Sequence, residues 1–159
     1  MAVDTTVMSP GWRCAYEAVW SLLPITREHI THARSCITPS GVLHYAELSG
    51  TAARSGIIPG WQEHDRGPGL YSKMQLFDRI FGGMSIPAGE VILITDNCFP
   101  ITAREPFFCR GESLRQFVAE QSFFVFDGDV VFIWPEARRI SVFHHEGRFA
   151  HIDCHDHAS

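Results

Sequence analysis

The feature that most constrains the fold is the alternation of apolar runs and turn sequences in the last third of the chain. The run SFFVF is followed by DGD, VVFIW by PEAR, and RISVFHH by EG and then RFAHID. Glycine and acidic residues between short β-rich runs favour the tight turns that join antiparallel neighbours. The spacing therefore predicts an antiparallel meander over the C-terminal third.

The first two-thirds of the chain are predicted to be mainly helical. Ser9 suits an N-cap and Pro10 a first helical position, while Pro24 cannot continue a helix. The predicted helices cover residues 9–24, 25–38, 39–56, 71–81 and 110–122, with one strand, GEVILITDN, before the last of them. Helices followed by strands predict an α+β fold, with N-terminal helices packed on a C-terminal antiparallel β-meander.

Length and composition predict a single globular domain over residues 1–159. The 159 residues are 45% apolar, which is enough to bury one core. We expect frayed ends at residues 1–8 and 155–159. No stretch resembles a secretory signal or reaches the roughly 18–20 apolar residues that span a bilayer. Five scattered cysteines are typical of free thiols in a reducing compartment, so a cytoplasmic location is expected.

The charge distribution argues against nucleic-acid binding. The chain has 13 basic and 18 acidic residues, for a net charge of −5. From Glu105 to the end there are nine acidic residues against five basic ones. Proteins that bind nucleic acids concentrate positive charge against the phosphates, which is the opposite pattern. The distribution favours a basic protein partner instead.

The stretch ISVFHHEGRFAHIDCHDH holds five of the nine histidines. A two-residue Glu146-Gly147 turn would place Val142 opposite His151 and Ile140 opposite Asp153. Because side chains alternate along strands, His144, His151 and Asp153 would then share one face of the hairpin. A slip of one residue would exchange the faces.

One interpretation of this hairpin is catalytic. Cys14 near a helix N-terminus would be the nucleophile, His144 or His151 its base, and Asp153 the residue that orients the base. GWRCAY resembles the glycine-tryptophan-cysteine segment of some ubiquitin-like-modifier proteases, whose downstream Asp-Pro-His element this chain lacks. In the alternative, Cys14 packs as a small apolar residue within the helix.

The other interpretations involve no chemistry or a metal. A metal site needs three or four convergent ligands, whereas Cys154, His155 and His157 lie at the very end of the chain. C-x-x-C and H-E-x-x-H motifs are absent from the sequence, so no metal and no cofactor are expected. The favoured interpretation is a hairpin with one face on the core and some histidines at its edge or against a partner.

Acidic turns supply the candidate residues for binding a partner. Turns and helix starts favour acidic residues for structural reasons, so solvated turns and a negative rim that recognises a basic surface both remain open. Trp134 is expected to be an exposed aromatic anchor beside them. The candidate partner-binding residues are Glu112, Asp127, Asp129, Trp134, Glu136 and His145.

The stretch FDGDVVFIWPEARRISVFHHEGRFAHI resembles the C-terminal part of small immunity proteins from bacterial polymorphic-toxin and contact-dependent inhibition systems. It covers about a sixth of the chain. The resemblance lies in the acidic glycine turn between two strands and in the His-rich hairpin. It implies a cytoplasmic, non-enzymatic inhibitor that occludes the active site of a cognate toxin. The alternative, from the residues themselves, is a small papain-like cysteine hydrolase that uses Cys14.

Overall fold

Six antiparallel strands form the centre of the structure, a computed structural model that describes residues 8–24, 37–66, 69–96, 98, 104–121 and 125–154. The strands are β1 (Ala52–Ile57), β2 (Glu90–Thr95), β3 (Phe107–Arg110), β4 (Val130–Trp134), β5 (Arg139–His144) and β6 (Arg148–Asp153). The described helices are α1 (Pro10–Leu22), α2 (Pro39–Leu48), α3 (Trp61–Arg66), α4 (Lys73–Phe81) and α5 (Leu114–Glu120). The α+β prediction is confirmed.

The sheet contains the predicted meander and extends beyond it on both sides. Its order is β1-β6-β5-β4-β2-β3, and all neighbouring strands are antiparallel. The meander is β4-β5-β6, three strands that follow one another in the chain. The early strand β1 pairs with β6 at one edge, while β2 pairs with β4 and carries β3 at the other. These outer pairings join segments that are distant in sequence.

Helices cover both faces of the sheet, so the central strand β4 is buried throughout. On the face that we call the α1 face, Val131 and Ile133 pack in one apolar cluster with residues of α1 and α2. On the opposite α4 face, Val130 and Phe132 pack with residues of α4 and α5. The alternation of side chains along β4 thus supplies two apolar cores rather than one core and a wet face.

Two helices, α1 and α2, begin where the sequence predicts, whereas α4 and α5 begin at Lys73 and Leu114 rather than at residues 71 and 110, and the side chain of Ser9, the N-cap of α1, makes no capping hydrogen bond. Pro10 is the first residue of α1, and the hydroxyl of Thr38 accepts a hydrogen bond from the backbone N–H of Gly41 at the start of α2. Ser72 and Gln75 form a reciprocal capping box at α4. Each cap satisfies backbone N–H groups that have no partner within the first turn of a helix.

Several predicted boundaries differ from the structure. The predicted helix 39–56 ends at Leu48, because Gly50 adopts a positive φ of 70° and the Thr51 hydroxyl donates to the carbonyl of Ala46. Residues 52–57 then form β1 rather than helix. Val125–Asp127 form a 3-10 turn instead of the end of a strand.

The remaining differences concern elements that the sequence did not predict and segments outside the described residues. The short elements α3 and β3 were not predicted. Residues 25–36 of the predicted second helix, residues 122–124, and the expected frayed ends other than Met8 lie outside the described residues. Among the described helices, none combines the length and apolar character needed to cross a bilayer.

A buried histidine joins the sheet to α4. The side chain of His151 on β6 is only 5% exposed. Its Nε2–H donates to the carbonyl of Ile80 at 2.7 Å, and its Nδ1 accepts from the hydroxyl of Ser141 at 2.8 Å. Both ring nitrogens are therefore satisfied in a neutral imidazole, as a buried polar group requires. Burial is the main cause that lowers the pKa of His151, and Arg139 and Arg54 lower it further.

We expect Ser141→Ala to destabilise the fold by about 1–2 kcal/mol, because the buried Nδ1 of His151 then lacks a donor. The free energy of unfolding from urea denaturation measures the effect. Ser55→Ala, at an exposed position of β1, is the matched control and should change stability by less than about 0.5 kcal/mol. Equal effects of the two substitutions would contradict the assigned role of the Ser141 hydroxyl.

The lowered pKa of His151 predicts a loss of stability in mild acid. Below about pH 6.5 the unfolded chain protonates this histidine while the folded chain does not, so protons favour unfolding. The contribution is fully present above the unfolded pKa and is lost progressively as the pH falls toward the folded pKa. Urea denaturation from pH 8 to pH 5 should show a smaller fall for His151→Gln than for the parent. Parallel pH profiles would refute the prediction.

Candidate functional site

The His-rich hairpin has a register that differs by one residue from the predicted one. His144 lies opposite Arg148, Ser141 opposite His151, and residues 145–147 form a three-residue turn. Gly147 closes the turn with a positive φ of 82° and donates its N–H to the carbonyl of His144. The prediction of a two-residue turn is therefore wrong.

Contacts from outside the hairpin support this turn. The N–H of Ile58 donates to the carbonyl of Gly147 at 2.8 Å, and the indole N–H of Trp61 donates to the carbonyl of His145 at 2.9 Å. A Cβ at Gly147 would overlap the Trp61 indole, so this position requires glycine. The turn length thus depends on chain segments distant in sequence, which the hairpin sequence does not contain.

The observed register separates the predicted catalytic residues. By alternation, His144 lies on the α1 face of the sheet, while His151 and Asp153 lie on the α4 face. Asp153 makes ion pairs with Arg139 at 3.1 Å and with Arg54 at 3.7 Å. The prediction that His144, His151 and Asp153 share one face is therefore wrong.

Cys14 does not join either histidine in a catalytic pair. Its side chain is exposed. It belongs to α1, the helix that packs on the face of the sheet opposite to the face that carries His151. Partial burial raises the pKa of its thiol, and the charges of Glu90 and Glu17 raise it further. Glu90, whose charge acts on Cys14, begins β2. His144 lies level with the residue after the other end of β2, so the length of β2 separates Glu90 from His144 by roughly 20 Å at ~3.3 Å per residue. A catalytic thiol needs the opposite pKa shift and a base within reach.

The six predicted partner-binding residues do not form one surface. Asp127, Asp129 and His145 lie where β4 begins and β5 ends, whereas Glu112 and Glu136 lie toward the opposite end of the sheet. We call the first group, with Asp96, His144 and Glu146, the Asp129 end of the sheet. The length of β4 separates the two groups by about 13 Å at ~3.3 Å per residue.

Trp134, the sixth residue, is 0% exposed, and its predicted exposure is wrong. It ends the central strand, which helices cover on both faces. Its indole N–H donates to the carbonyl of Pro87 at 3.1 Å, and a Cβ at Gly111 would clash with the same carbonyl. Trp134 therefore packs within the core and presents no side chain to a partner.

Glu112 has a structural role in the described fold. Its carboxylate accepts from the N–H of Gly89 at 2.6 Å and from the Nε of Arg110 at 2.7 Å. The bonds from Arg110 and then from the Gly89 backbone lower the pKa of Glu112 to about 2. This carboxylate joins the start of β2 to the end of β3. Glu136 is exposed nearby and adds negative charge beside Arg110.

Hydrogen bonds organise the Asp129 end. The half-buried carboxylate of Asp129 accepts at Oδ1 from the backbone N–H of His145 at 2.8 Å and lies 2.9 Å from the Nδ1 of the same residue. The backbone N–H of Asp129 donates to Asp96 at 3.1 Å. The imidazoles of His144 and His145 stack with centroids 4.1 Å apart, and the N–H of Glu146 donates to the Nδ1 of His144.

Carboxylates act together on His145 at this end of the sheet. The pKa of His145 is raised, chiefly by its hydrogen bond to Asp129; burial opposes this, and the charges of Asp129, Glu146 and Asp96 raise the pKa further. Asp127 is exposed on the adjoining turn. Asp96 and Glu146 were not among the predicted binding residues. Asp96 directly follows β2 and Glu146 lies in the turn after β5, but only the long-range pairing of β2 with β4 brings them to the same end.

A groove lies beside the Asp129 end on the α1 face. Its volume is about 820 Å³, and it lies between α2 and the strands β1, β6 and β5. Small side chains such as Ala53 and Ala150 line it, together with the exposed Leu43 and Ile57. His144 also lines the groove, so it connects this apolar surface to the charged groups.

No protein-family model, curated protein or solved structure matches the chain. Function is therefore inferred from the geometry and chemistry of the described residues.

Because the pKa of Cys14 is raised, we expect slow alkylation of this thiol at pH 7.5 despite its exposure. Iodoacetamide labelling, resolved by residue with mass spectrometry, should give a rate at or below that of N-acetylcysteine. His144→Ala and His151→Gln should leave the rate within about twofold. A rate more than tenfold above that of N-acetylcysteine, lowered by either histidine substitution, would restore the catalytic interpretation.

Proposed function

We propose that this chain is a non-enzymatic binding protein that neutralises a cognate bacterial toxin domain by occluding its active site. The contact surface is the Asp129 end of the sheet with the adjoining groove. The observation that carries the proposal is the concentration of Asp96, Asp127, Asp129 and Glu146 around the ends of neighbouring strands. Arg148, opposite His144, is a cation close to them.

Preorganised carboxylates suit the recognition of a basic surface. Asp129 is held by the backbone of His145, and Asp96 is held by the backbone of Asp129, so little side-chain freedom is lost on binding. Asp127 and Glu146 are exposed and reach outward. Charges of one sign on a surface accelerate association with an oppositely charged partner and reject partners of the same sign.

The groove adds the apolar contact that affinity requires. Binding energy at protein interfaces comes mainly from a few anchors buried in pockets, while charged rims set the association rate. Leu43 is 37% exposed and Ile57 is 67% exposed at the groove, so a partner can cover apolar surface there. In this proposal a side chain of the partner is the anchor, and the groove of this chain receives it. Trp134, which was expected to be the anchor, is buried and has no such role.

The positions of the candidate catalytic residues do not favour the hydrolase alternative. Cys14 and His151 lie on opposite faces of the sheet, and His144 lies at the end away from Glu90, the carboxylate that acts on Cys14. His151 is fully engaged as a neutral structural imidazole. No observation on the described residues supplies Cys14 with a base.

The proposal predicts that charge reversal at the Asp129 end abolishes capture of the partner. The reversed bait carries Asp127→Lys and Glu146→Lys, which spare the hydrogen-bonded Asp96 and Asp129. The control bait carries Glu17→Lys and Glu120→Lys, two exposed positions outside the Asp129 end and the groove, with the same change in net charge. Pull-downs from a lysate of the source organism at low salt, read by mass spectrometry, should retain one stoichiometric basic protein on the parent and control baits only.

Kinetics with the purified partner complete this test. We expect the reversed variant to associate roughly tenfold more slowly at low salt, and the parent's association rate to fall as salt rises. The partner's toxic activity should be inhibited by the parent and the control. Equal capture by all three baits, no capture at low salt, or a partner without inhibited activity would each refute the proposal.

A further inference from the structure

We propose that Asp129, His144 and His145 form a binding site for a divalent transition-metal ion of the zinc type. One donor atom from each of the three side chains lies within 4.8 Å of the others. The site is at the Asp129 end of the sheet, where Asp129 and His144 are half-buried and His145 is exposed. This inference concerns the isolated protein and does not depend on the proposed toxin partner.

The three-residue turn is what brings the two histidines together. Neighbouring side chains of a strand point to opposite faces, so a His-His pair inside a strand cannot bind one ion. Here β5 ends at His144 and the turn begins at His145, and the two imidazoles stack with centroids 4.1 Å apart and planes 31° apart. Asp129 approaches the same point from the start of β4.

The donor distances are compatible with coordination after small side-chain rotations. Zinc binds imidazole nitrogen at about 2.0–2.1 Å and carboxylate oxygen at about 2.0–2.2 Å, so tetrahedral donors lie roughly 3.4 Å apart. A spread of at most 4.8 Å needs only a modest contraction. Asp129 can keep the backbone N–H of His145 on one carboxylate oxygen while the other oxygen binds the ion. The hydrogen bond from the His145 backbone then orients the Asp129 carboxylate, as hydrogen-bond partners of metal ligands commonly do.

The donor set and its surroundings indicate the class of ion. Two imidazoles and one carboxylate suit zinc, nickel or copper, whereas calcium and magnesium prefer oxygen ligands throughout. The charges of Asp96 and Glu146 act on His145 and favour a cation at this point. The positive charge of Arg148, which lies opposite His144 on the neighbouring strand β6, acts against the binding of a cation. Three protein ligands leave a coordination position for water or for a side chain of another molecule.

The test uses the full chain with Zn²⁺ as the probe. Every protein carries Cys14→Ser, His155→Asn and His157→Asn, which remove an exposed thiol and the histidines at the end of the chain. Competition with a chromophoric chelator at pH 8, which favours the deprotonated ligands that metals bind, gives the affinity. We expect Asp129→Asn, His144→Gln and His145→Ala each to weaken Zn²⁺ binding at least tenfold. His44→Asn, at an exposed histidine of α2, is the matched control and should bind as the parent does.

A second readout protects the test against misfolded variants. Urea unfolding in the absence of metal identifies variants that fold as the parent does. Added Zn²⁺ should raise the free energy of unfolding of the parent and His44→Asn, because the ion binds the folded state, but not that of the ligand variants. Co²⁺ should give a visible d–d spectrum in the parent that the ligand variants lose. Unchanged affinity in all three ligand variants, or no Zn²⁺ binding by the parent background at about 100 µM, would overturn the proposal.

Discussion

The register of β5 against β6 is the constraint on which the rest of the structure depends. Gly147 fixes it, held by the backbone of Ile58 and covered by Trp61. One register places Ser141 beside His151 and buries a satisfied imidazole under α4, while it leaves His144 at the groove. A slip of β6 by one residue would move His151 to the α1 face, away from the carbonyl of Ile80, and Ile152 to the α4 face. Apolar burial outweighs surface ion pairs in setting this register. A buried large apolar side chain contributes about 1.5–3 kcal/mol, whereas an exposed ion pair such as Arg54–Asp153 contributes about 0.2–1 kcal/mol.

Because helices cover both faces, polar chemistry is concentrated at the ends of the strands. The two ends are both acidic and differ in what their carboxylates do. Glu112 is held between a backbone N–H and Arg110, and it stabilises the junction of β2 with β3. At the other end, Asp127 and Glu146 are exposed, and Asp129 holds a turn. The carboxylate of Glu112 therefore stabilises the fold at one end of the sheet, whereas Asp127 and Glu146 form a charged surface at the Asp129 end.

The proposed partner contact and the proposed metal site lie at the same end and affect each other. An ion held by Asp129 and the two histidines neutralises part of the negative potential that attracts a basic partner. It also presents an open coordination position at the surface, which a side chain of the partner can occupy. If both proposals hold, the metal-bound and metal-free surfaces differ in charge, and binding of the metal and of the partner is thermodynamically coupled.

The sequence by itself determined the α+β class, the start of α1 at Pro10 and the meander β4-β5-β6, because helix-start and turn residues act over a few neighbours. It also determined that acidic residues fall in turns. Only the tertiary structure decided the register of the hairpin, the pairing of β1 with β6, the burial of Trp134 and the meeting of Asp96 with Asp129. Each of these depends on contacts between segments distant in the chain, which no local pattern encodes. For the same reason the sequence could identify Asp129 and His145 as candidates, but not that they share one site with His144.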